Sequence, residues 1–164
     1  TIRVCSNLPY YVTTPILFKL FNSNLDISKI TVMVQKEVGD RFKAPVGSED
    51  YNALSIIVQY LYDVKQEMNV SKAVFYPSPK VDSVVISFTP KFKRNFEYEK
   101  GLFEFIENCF KNRRKTLNNN LKQFLDADTI GKIYSTLNLK ESVRAQELDL
   151  DTFIRMYEVT SNED

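Results

Sequence analysis

The segment Asn7-Leu8-Pro9-Tyr10 combines residue types that could hold the amino group of a planar ring. The Asn7 side-chain oxygen and the Leu8 carbonyl are two acceptors that can fix an exocyclic amine and leave its lone pair directed at an electrophile. Pro9 stiffens the turn, and Tyr10 offers a flat face for a base pulled out of its stack. Asparagine and proline are also common in an ordinary turn after a strand. The four residues alone leave both interpretations open.

A second candidate is the proline-rich stretch that begins at Phe75 and reads Phe-Tyr-Pro-Ser-Pro-Lys-Val-Asp-Ser. Its two prolines rigidify a loop that could aim Phe75 or Tyr76 at a ligand. Lys80 could contact a phosphate or could simply be solvated. The alternative is a proline-stiffened connection between two strands, with its aromatic rings closing the core.

Positive charge gathers between Cys109 and Gln123, where no acidic residue occurs. The basic residues there are Lys111, Arg113, Arg114, Lys115 and Lys122. Such a basic segment on a helix suits the phosphate backbone of a nucleic acid, although a solvated helix face is an equal alternative. From Asp126 onward nine acids face four basic residues, so the net charge of +1 conceals a polarised chain.

The composition excludes several other chemistries. The 164 residues contain no histidine, which removes histidine general bases, Ser-His-Asp and Cys-His systems and histidine-ligated zinc. The two cysteines, Cys5 and Cys109, lie far apart, so we expect reduced thiols, a cytoplasmic location, and neither a disulfide nor a metal centre. The apolar stretches are far shorter than the roughly 20 residues that span a bilayer, so we expect a soluble protein without membrane partners.

The candidate motifs are surrounded by alternating strand and helix patterns. The predicted strands are residues 1–6, 30–34, 63–70 and 82–89. One predicted helix begins at Pro15, and a second spans residues 51–62. The uninterrupted apolar run at 30–34 suggests a strand buried on both faces, as in a parallel sheet covered by helices. The order predicts an α/β half-sheet with Asn7 at the carboxyl end of its first strand, where open α/β sheets bind ligands.

Beyond residue 90 only helical spacing is found. We interpret residues 90–95 as a linker because the composition shifts there. Apolar faces with helical spacing then follow around Leu102, Leu117, Ile130 and Phe153. We therefore predict two domains, 1–90 with the sheet and 91–164 as a small all-α domain.

Taken in order, these segments resemble the KsgA-type ribosomal small-subunit RNA adenine dimethyltransferases, an S-adenosylmethionine-dependent family. Five ordered matches carry the resemblance: Asn7-Leu8-Pro9-Tyr10 with Thr13-Thr14-Pro15, Gln35-Lys36-Glu37-Val38 with Arg41, the stretch from Phe75 to Ser83, Asn112-Arg113-Arg114-Lys115-Thr116-Leu117, and Arg144-Ala145-Gln146-Glu147. The resemblance implies the carboxyl-terminal half of a Rossmann-like methyltransferase domain over 1–90, and a helical rRNA-binding domain over 91–164.

The resemblance also implies roles for the candidate residues. Asn7 and Leu8 would bind the adenine N6 amine on a turn stiffened by Pro9, while Tyr10 and Phe75 would support the two faces of the extruded base. N6 would attack the sulfonium methyl group directly, twice per adenosine, with no general base. The residues implied to contact rRNA are Arg113, Arg114 and Lys115, with Lys80 as a phosphate contact.

The sequence departs from the family on the cofactor side. The family begins with a strand, a glycine-rich turn that cradles the methionine part of S-adenosylmethionine, and an acidic residue for the ribose. None of these is found, and only Asn7 would touch the cofactor. We therefore expect a carboxyl-terminal portion that is inactive alone and that self-associates through an unpaired strand edge.

The expected function of the intact protein is dimethylation of adenosine N6 in small-subunit rRNA, linked to ribosome assembly. Its expected partners are that rRNA and the precursor of the small subunit. Large-subunit rRNA adenine methyltransferases of the macrolide-resistance type are an alternative, because they share the first motif and a similar proline loop. A non-catalytic RNA-binding assembly factor is a further alternative, against which the retention of Asn7 and Tyr10 argues.

Overall fold

The computed structural model describes residues 1–162. Its strands are β1 (Ile2–Asn7), β2 (Ile27–Gln35), β3 (Tyr62–Val70) and β4 (Ser83–Pro90). Its α-helices are α1 (Thr13–Phe21), α2 (Lys36–Phe42), α3 (Ala53–Leu61), α4 (Phe96–Cys109), α5 (Leu117–Leu121), α6 (Ala127–Leu137) and α7 (Leu150–Ser161). The predicted order, with strands and helices alternating up to β4 and only helices after it, is confirmed. None of the described helices is both long and apolar enough to cross a membrane.

The four strands form one mixed sheet in the order β1-β2-β4-β3. Strands β1 and β2 are parallel, whereas β4 is antiparallel to both β2 and β3. The prediction that the second strand is buried on both faces is wrong, because side chains along β2 alternate between buried and partly exposed. The partly exposed face carries polar side chains beside apolar ones: Glu67 accepts a hydrogen bond from Ser87 at 2.7 Å and pairs with Lys29 at 3.6 Å, while Met33 lies opposite Val85.

The other face of the sheet is closed by aromatic rings from two helices. Phe21 of α1 lies 5.0 Å from Tyr62 and 5.3 Å from Phe88, and Phe42 of α2 lies 5.2 Å from Phe88, measured between ring centroids. Helix α2 approaches the sheet closely at Gly39, where a Cβ atom would collide with Val84 of β4. These contacts fix α1 and α2 against the sheet.

Strand β1 lies at the edge of the sheet, and its side chains are exposed or partly exposed. Among the described residues, only β2 pairs with it. The expected self-association through this edge stays a prediction.

The chain divides into two compact units, and each unit is made of two separate segments of the sequence, so no single boundary at residue 90 separates them. The first unit contains the sheet and consists of Thr1–Lys43 and Val58–Lys93, and the second consists of Ala44–Ile57 and the chain from Arg94 onward. Residues 44–57 were predicted to belong with the sheet; they pack with the helical unit instead. The reason is the buried Tyr51, whose hydroxyl donates a hydrogen bond to the Leu148 carbonyl at 2.7 Å.

The helices of the second unit begin at side-chain caps. Asn95, Thr116, Asp126 and Asp149 each accept a hydrogen bond from the backbone N–H three residues further on. The positions named for the four predicted apolar faces, Leu102, Leu117, Ile130 and Phe153, are buried on α4, α5, α6 and α7, which confirms these helices.

The basic segment does not form a helix, contrary to expectation. Residues 110–115 form turns between α4 and α5, so only Lys122 adjoins a helix, at the end of α5. The buried Asn120 side chain fixes this turn, because its oxygen accepts the Asn112 N–H at 3.1 Å and its amide donates to the Asn112 carbonyl at 3.2 Å.

Candidate functional site

Asn7 is the last residue of β1, and the chain then turns into a short 3-10 helix, Tyr10–Val12. Leu8 is buried, and its N–H donates to the Met33 carbonyl at 3.4 Å, which anchors the turn to the neighbouring strand. The Pro9 carbonyl accepts the Thr13 hydroxyl at 3.1 Å, which ties the turn to the start of α1. Asn7 and Pro9 remain exposed. The turn therefore has a fixed backbone and an accessible Asn7.

The proline-rich loop between β3 and β4 is fixed by its own hydrogen bonds. The Asp82 carboxylate accepts the Lys72 N–H at 2.9 Å, and the Ser78 hydroxyl donates to the Lys72 carbonyl, also at 2.9 Å. Tyr76 is fully exposed, whereas Phe75 is partly buried. Of the two aromatic rings left open by the sequence, Phe75 is therefore the one that the loop directs towards the protein.

The structure brings these two motifs together around one open cleft of about 370 Å³ in the first unit. The cleft is lined by Asn7, Leu8, Pro9, Tyr10, Phe75, Pro77 and Pro79. The Tyr10 hydroxyl lies 2.6 Å from the hydroxyl of the buried Ser83, at the start of β4. This hydrogen bond joins the first motif to the last residue of the second. Sequence reasoning missed Ser83 as a positioning residue, although its place at the end of the motif was a usable signal.

The lining of the cleft suits orientation of a ligand better than proton transfer. It provides an amide oxygen, prolines and two aromatic rings. Of the seven residues that line the cleft, Tyr10 is the one with an ionisable side chain. A flat ring with an exocyclic amine matches this combination of apolar walls and acceptor. Lys80 is exposed and does not line the cleft, so its suggested phosphate contact stays a prediction.

The predicted RNA-contacting residues of the second unit lie in the turn after α4. Lys111, Arg114 and Lys115 are exposed there and, with Asn112 and Arg113, surround a hollow of about 300 Å³. Three cationic side chains on one exposed turn are suited to phosphate groups.

Arg113 differs from its basic neighbours because its guanidinium donates to backbone carbonyls within the same unit. One terminal nitrogen donates to Tyr51 at 2.7 Å, and the other donates to Glu49 at 2.7 Å and to Ser48 at 3.3 Å. Arg113 therefore holds residues 48–51 in place. The charge pattern could not reveal this role, because the acceptors lie more than 60 residues away in the sequence.

Comparison with known proteins defines the class. A family model described as ribosomal RNA adenine dimethylase matches residues 1–162. The chain belongs to this family.

Two curated relatives within the family are named for the small ribosomal subunit. Proteins named ribosomal RNA small subunit methyltransferase A are 43% identical over 157 residues in Lactobacillus helveticus and 39% identical over 160 residues in Mycoplasma mobile. These alignments cover 94% and 95% of this chain, but 53% and 62% of the respective relatives. The chain thus spans little more than half the length of these curated relatives.

Solved structures with the same fold include a dimethyladenosine transferase from Plasmodium falciparum. It matches with a TM-score of 0.78 and 25% identity, over 94% of this chain and 64% of its own. The 23S rRNA methyltransferase ErmE matches with a TM-score of 0.69 and 16% identity, over 98% of this chain and 65% of its own, which is evidence of shared fold alone. The predicted fold class, part of a methyltransferase sheet followed by helices, is confirmed.

Proposed function

We propose that this chain forms the methyl-acceptor side of an rRNA adenine N6-dimethyltransferase acting on the small ribosomal subunit. The observation that carries the proposal is the single cleft in which the Asn7–Tyr10 turn and Phe75 come together. The names of relatives about 40% identical to this chain support the small subunit as the substrate.

The residues of the cleft would work by orientation. The Asn7 oxygen and the Leu8 carbonyl accept the two N6 protons of the target adenine, while Tyr10 and Phe75 support its ring. Two acceptors on the amine make its lone pair available for attack on a methyl group. Because Ser83 already fixes the Tyr10 hydroxyl, the Tyr10 ring is in place before the base arrives.

The described residues fit the acceptor side of the reaction and not the cofactor cradle. S-adenosylmethionine, the co-substrate of the family, supplies an electrophilic methyl group when bound. Among residues 1–162, no glycine-rich turn follows a strand, and Asn7 at the end of β1 is the one cofactor contact proposed. We therefore expect this chain by itself to transfer no methyl group.

The exposed cations would hold the rRNA. We assign phosphate contacts to Lys80 in the first unit and to Lys111, Arg114 and Lys115 in the second. Arg113 would support these contacts indirectly, by fixing residues 48–51, and any contact with RNA would be additional to that role.

The test is transfer of a labelled methyl group from S-adenosylmethionine to undermethylated small-subunit particles. It compares this chain with the same chain preceded by the amino-terminal half of the Lactobacillus helveticus relative. We expect transfer by the longer protein only. A longer protein that binds S-adenosylmethionine and the particles, yet methylates nothing, would overturn the proposal.

Asn7→Ala in the longer protein is expected to reduce transfer at least a hundredfold and leave RNA affinity unchanged, since a misplaced amine loses most of the benefit of orientation. The matched control is Asn22→Ala, because Asn22 is an exposed asparagine that does not line the cleft. A non-catalytic RNA-binding protein would respond to neither substitution.

A further inference from the structure

Two tyrosines next to the acceptor cleft, Tyr11 and Tyr76, are almost entirely exposed, and we call them the rim tyrosines. The exposed fraction is 88% for Tyr11 and 103% for Tyr76, the two highest values among the large apolar and aromatic side chains of residues 1–162. A single exposed apolar side chain is ordinary on a protein surface, but exposed rings gathered at one place mark binding sites. The rim tyrosines therefore need a partner to explain them.

The rim tyrosines adjoin the cleft from its two different motifs. Tyr11 directly follows Tyr10, which lines the cleft. Tyr76 lies between two lining residues, Phe75 and Pro77. Neither rim tyrosine lines the cleft itself, and all of these residues belong to the first unit. Each motif of the cleft thus carries one exposed ring at its edge.

Both rim tyrosines stand on a backbone that is already fixed. Tyr11 is the middle residue of the 3-10 helix in which the Val12 N–H donates to the Pro9 carbonyl at 3.1 Å. Tyr76 belongs to the proline-rich loop, which the hydrogen bonds of the Lys72 backbone hold together. Within residues 1–162, neither rim tyrosine forms a hydrogen bond or a ring contact. The rings are therefore presented to solvent in place, so that binding a ligand would require little ordering of the backbone.

The charge around the rim tyrosines favours a polyanion. Lys72 and Lys80 are exposed on the proline-rich loop. Residues 1–25 and 71–81 contain no acidic residue. The acid that follows the loop, Asp82, accepts the Lys72 N–H with its carboxylate at 2.9 Å. Both motifs of the cleft are therefore free of acidic residues, and the second carries two exposed cations.

Helix α2 brings two acids to the same end of the sheet, but it also pairs them. Its first residue, Lys36, donates its N–H to the Asp82 carbonyl at 3.0 Å. On the helix itself Glu37 pairs with Arg41 at 2.7 Å, and Asp40 pairs with the Lys36 ammonium at 2.8 Å. Because each acid has a basic partner, α2 adds no net negative charge beside the cleft.

We propose that the rim tyrosines stack on the two nucleotides that flank the extruded adenine in the rRNA. One phosphate joins each of these nucleotides to the target adenosine, so they leave the cleft at its edge, where the exposed rings stand. Unpaired RNA bases stack on aromatic side chains, and the lysines suit the phosphates between them. Single-stranded RNA offers flat rings and negative charge together, which an apolar protein surface does not. The inference rests on the proposed function, because the cleft must hold the adenine.

The first experiment uses this chain with isotope-labelled tyrosine and phenylalanine rings, followed by NMR spectroscopy. The probes are adenosine and a single-stranded trinucleotide of three adenosines. Adenosine is expected to shift the signals of the cleft rings, Tyr10 and Phe75, because a lone nucleoside has no neighbours. The trinucleotide should shift the signals of the cleft rings and of both rim tyrosines, saturably.

The two probes separate the inference from the proposed function. If the trinucleotide shifts the cleft rings and leaves the rim tyrosines unchanged, the inference is overturned and the proposed function stands. If neither probe shifts the cleft rings, the proposed function fails, and the inference fails with it, even where the rim tyrosines respond.

Substitutions test whether the flat ring is what binds. Tyr11→Leu and Tyr76→Leu keep an apolar side chain, and each should weaken affinity for the trinucleotide roughly tenfold, the effect of losing one stacked base. Tyr11→Phe and Tyr76→Phe keep the ring and should retain the affinity. The melting temperature should stay the same in all four, since the rings are exposed. The matched control is Phe92→Leu, an exposed ring of the same unit that follows the opposite end of β4 from Ser83; its affinity should not change.

Leucine variants that bind the trinucleotide as tightly as the original chain would overturn the inference. So would phenylalanine variants as weak as the leucine ones, because the hydroxyl and not the ring would then carry the binding. In the longer protein of the methylation assay, the leucine variants should raise the KM for small-subunit particles and leave kcat nearly unchanged, since the rim tyrosines would hold the neighbours of the reacting base. A loss confined to kcat would contradict this role.

Discussion

Replacing Arg113 with alanine is expected to destabilise the helical unit. A hydrogen bond from a charged donor to a buried carbonyl contributes about 1.5–3 kcal/mol. Arg113 is largely exposed, so screening by solvent reduces each of its bonds to roughly 0.5–1 kcal/mol. Two bonds of 2.7 Å and a longer one of 3.3 Å then amount to about 2 kcal/mol, or about 4–8 °C in melting temperature for a chain of this size.

Arg114→Ala is the matched control, because Arg114 is the adjacent, exposed arginine in the same turn. Its stability should stay within about 0.5 kcal/mol of the original chain, while the salt dependence of its RNA affinity should fall by about one phosphate contact. Arg113→Lys should resemble Arg113→Ala in stability, since an ammonium group cannot donate along both arms of a fork.

Urea denaturation and RNA titrations at several salt concentrations together separate the two roles. If Arg113→Ala kept its full stability and lost salt dependence as Arg114→Ala does, Arg113 would be a phosphate ligand, and its assignment as a structural residue would be wrong.

Three further substitutions test the packing. Gly39→Ala places a methyl group against β4 and should lower the free energy of unfolding by about 1–3 kcal/mol, measured by urea denaturation. An unchanged free energy of unfolding would mean that α2 does not approach the sheet as closely as described. Glu99→Gln removes the charge from a fully buried carboxylate that accepts a hydrogen bond from the Arg94 guanidinium at 2.6 Å. It should lower the free energy of unfolding by about 2 kcal/mol in the same assay. No change would mean that this ion pair does not stabilise the fold. Asp149→Asn tests a helix cap whose pKa is lowered because the Thr152 hydroxyl and N–H donate to its carboxylate. Since the folded-state pKa is the lower one, this stabilisation of about 0.5 kcal/mol is present above the ordinary value of 3.8. It is lost as the pH falls from 3.8 through the lowered pKa, so the difference in unfolding free energy between Asp149→Asn and the original chain should shrink over that range.

Much of the architecture could be predicted because its causes are local. The spacing of apolar residues shows which side of a strand or helix is buried, and this spacing can be seen in the sequence itself. Examples are the alternation on β4 and the helical spacing around Ile106 and Ile133. The Asn7–Tyr10 turn and the proline-rich loop were recognisable for the same reason, since proline and asparagine restrict their own neighbourhood.

Only the tertiary structure decided how these pieces meet. An apolar run such as 30–34 suits parallel and antiparallel partners alike, so the direction of each strand and the partial exposure of the second face had to come from the pairing itself. The hydrogen bond between the Tyr10 and Ser83 hydroxyls joins residues 73 positions apart, and the carbonyl acceptors of Arg113 are nearly as distant from it in the sequence. The sequence by itself predicted a set of side chains to hold a base and another set to hold phosphate. Folding decided which of them face one another, because contacts between distant residues depend on the path of the whole chain.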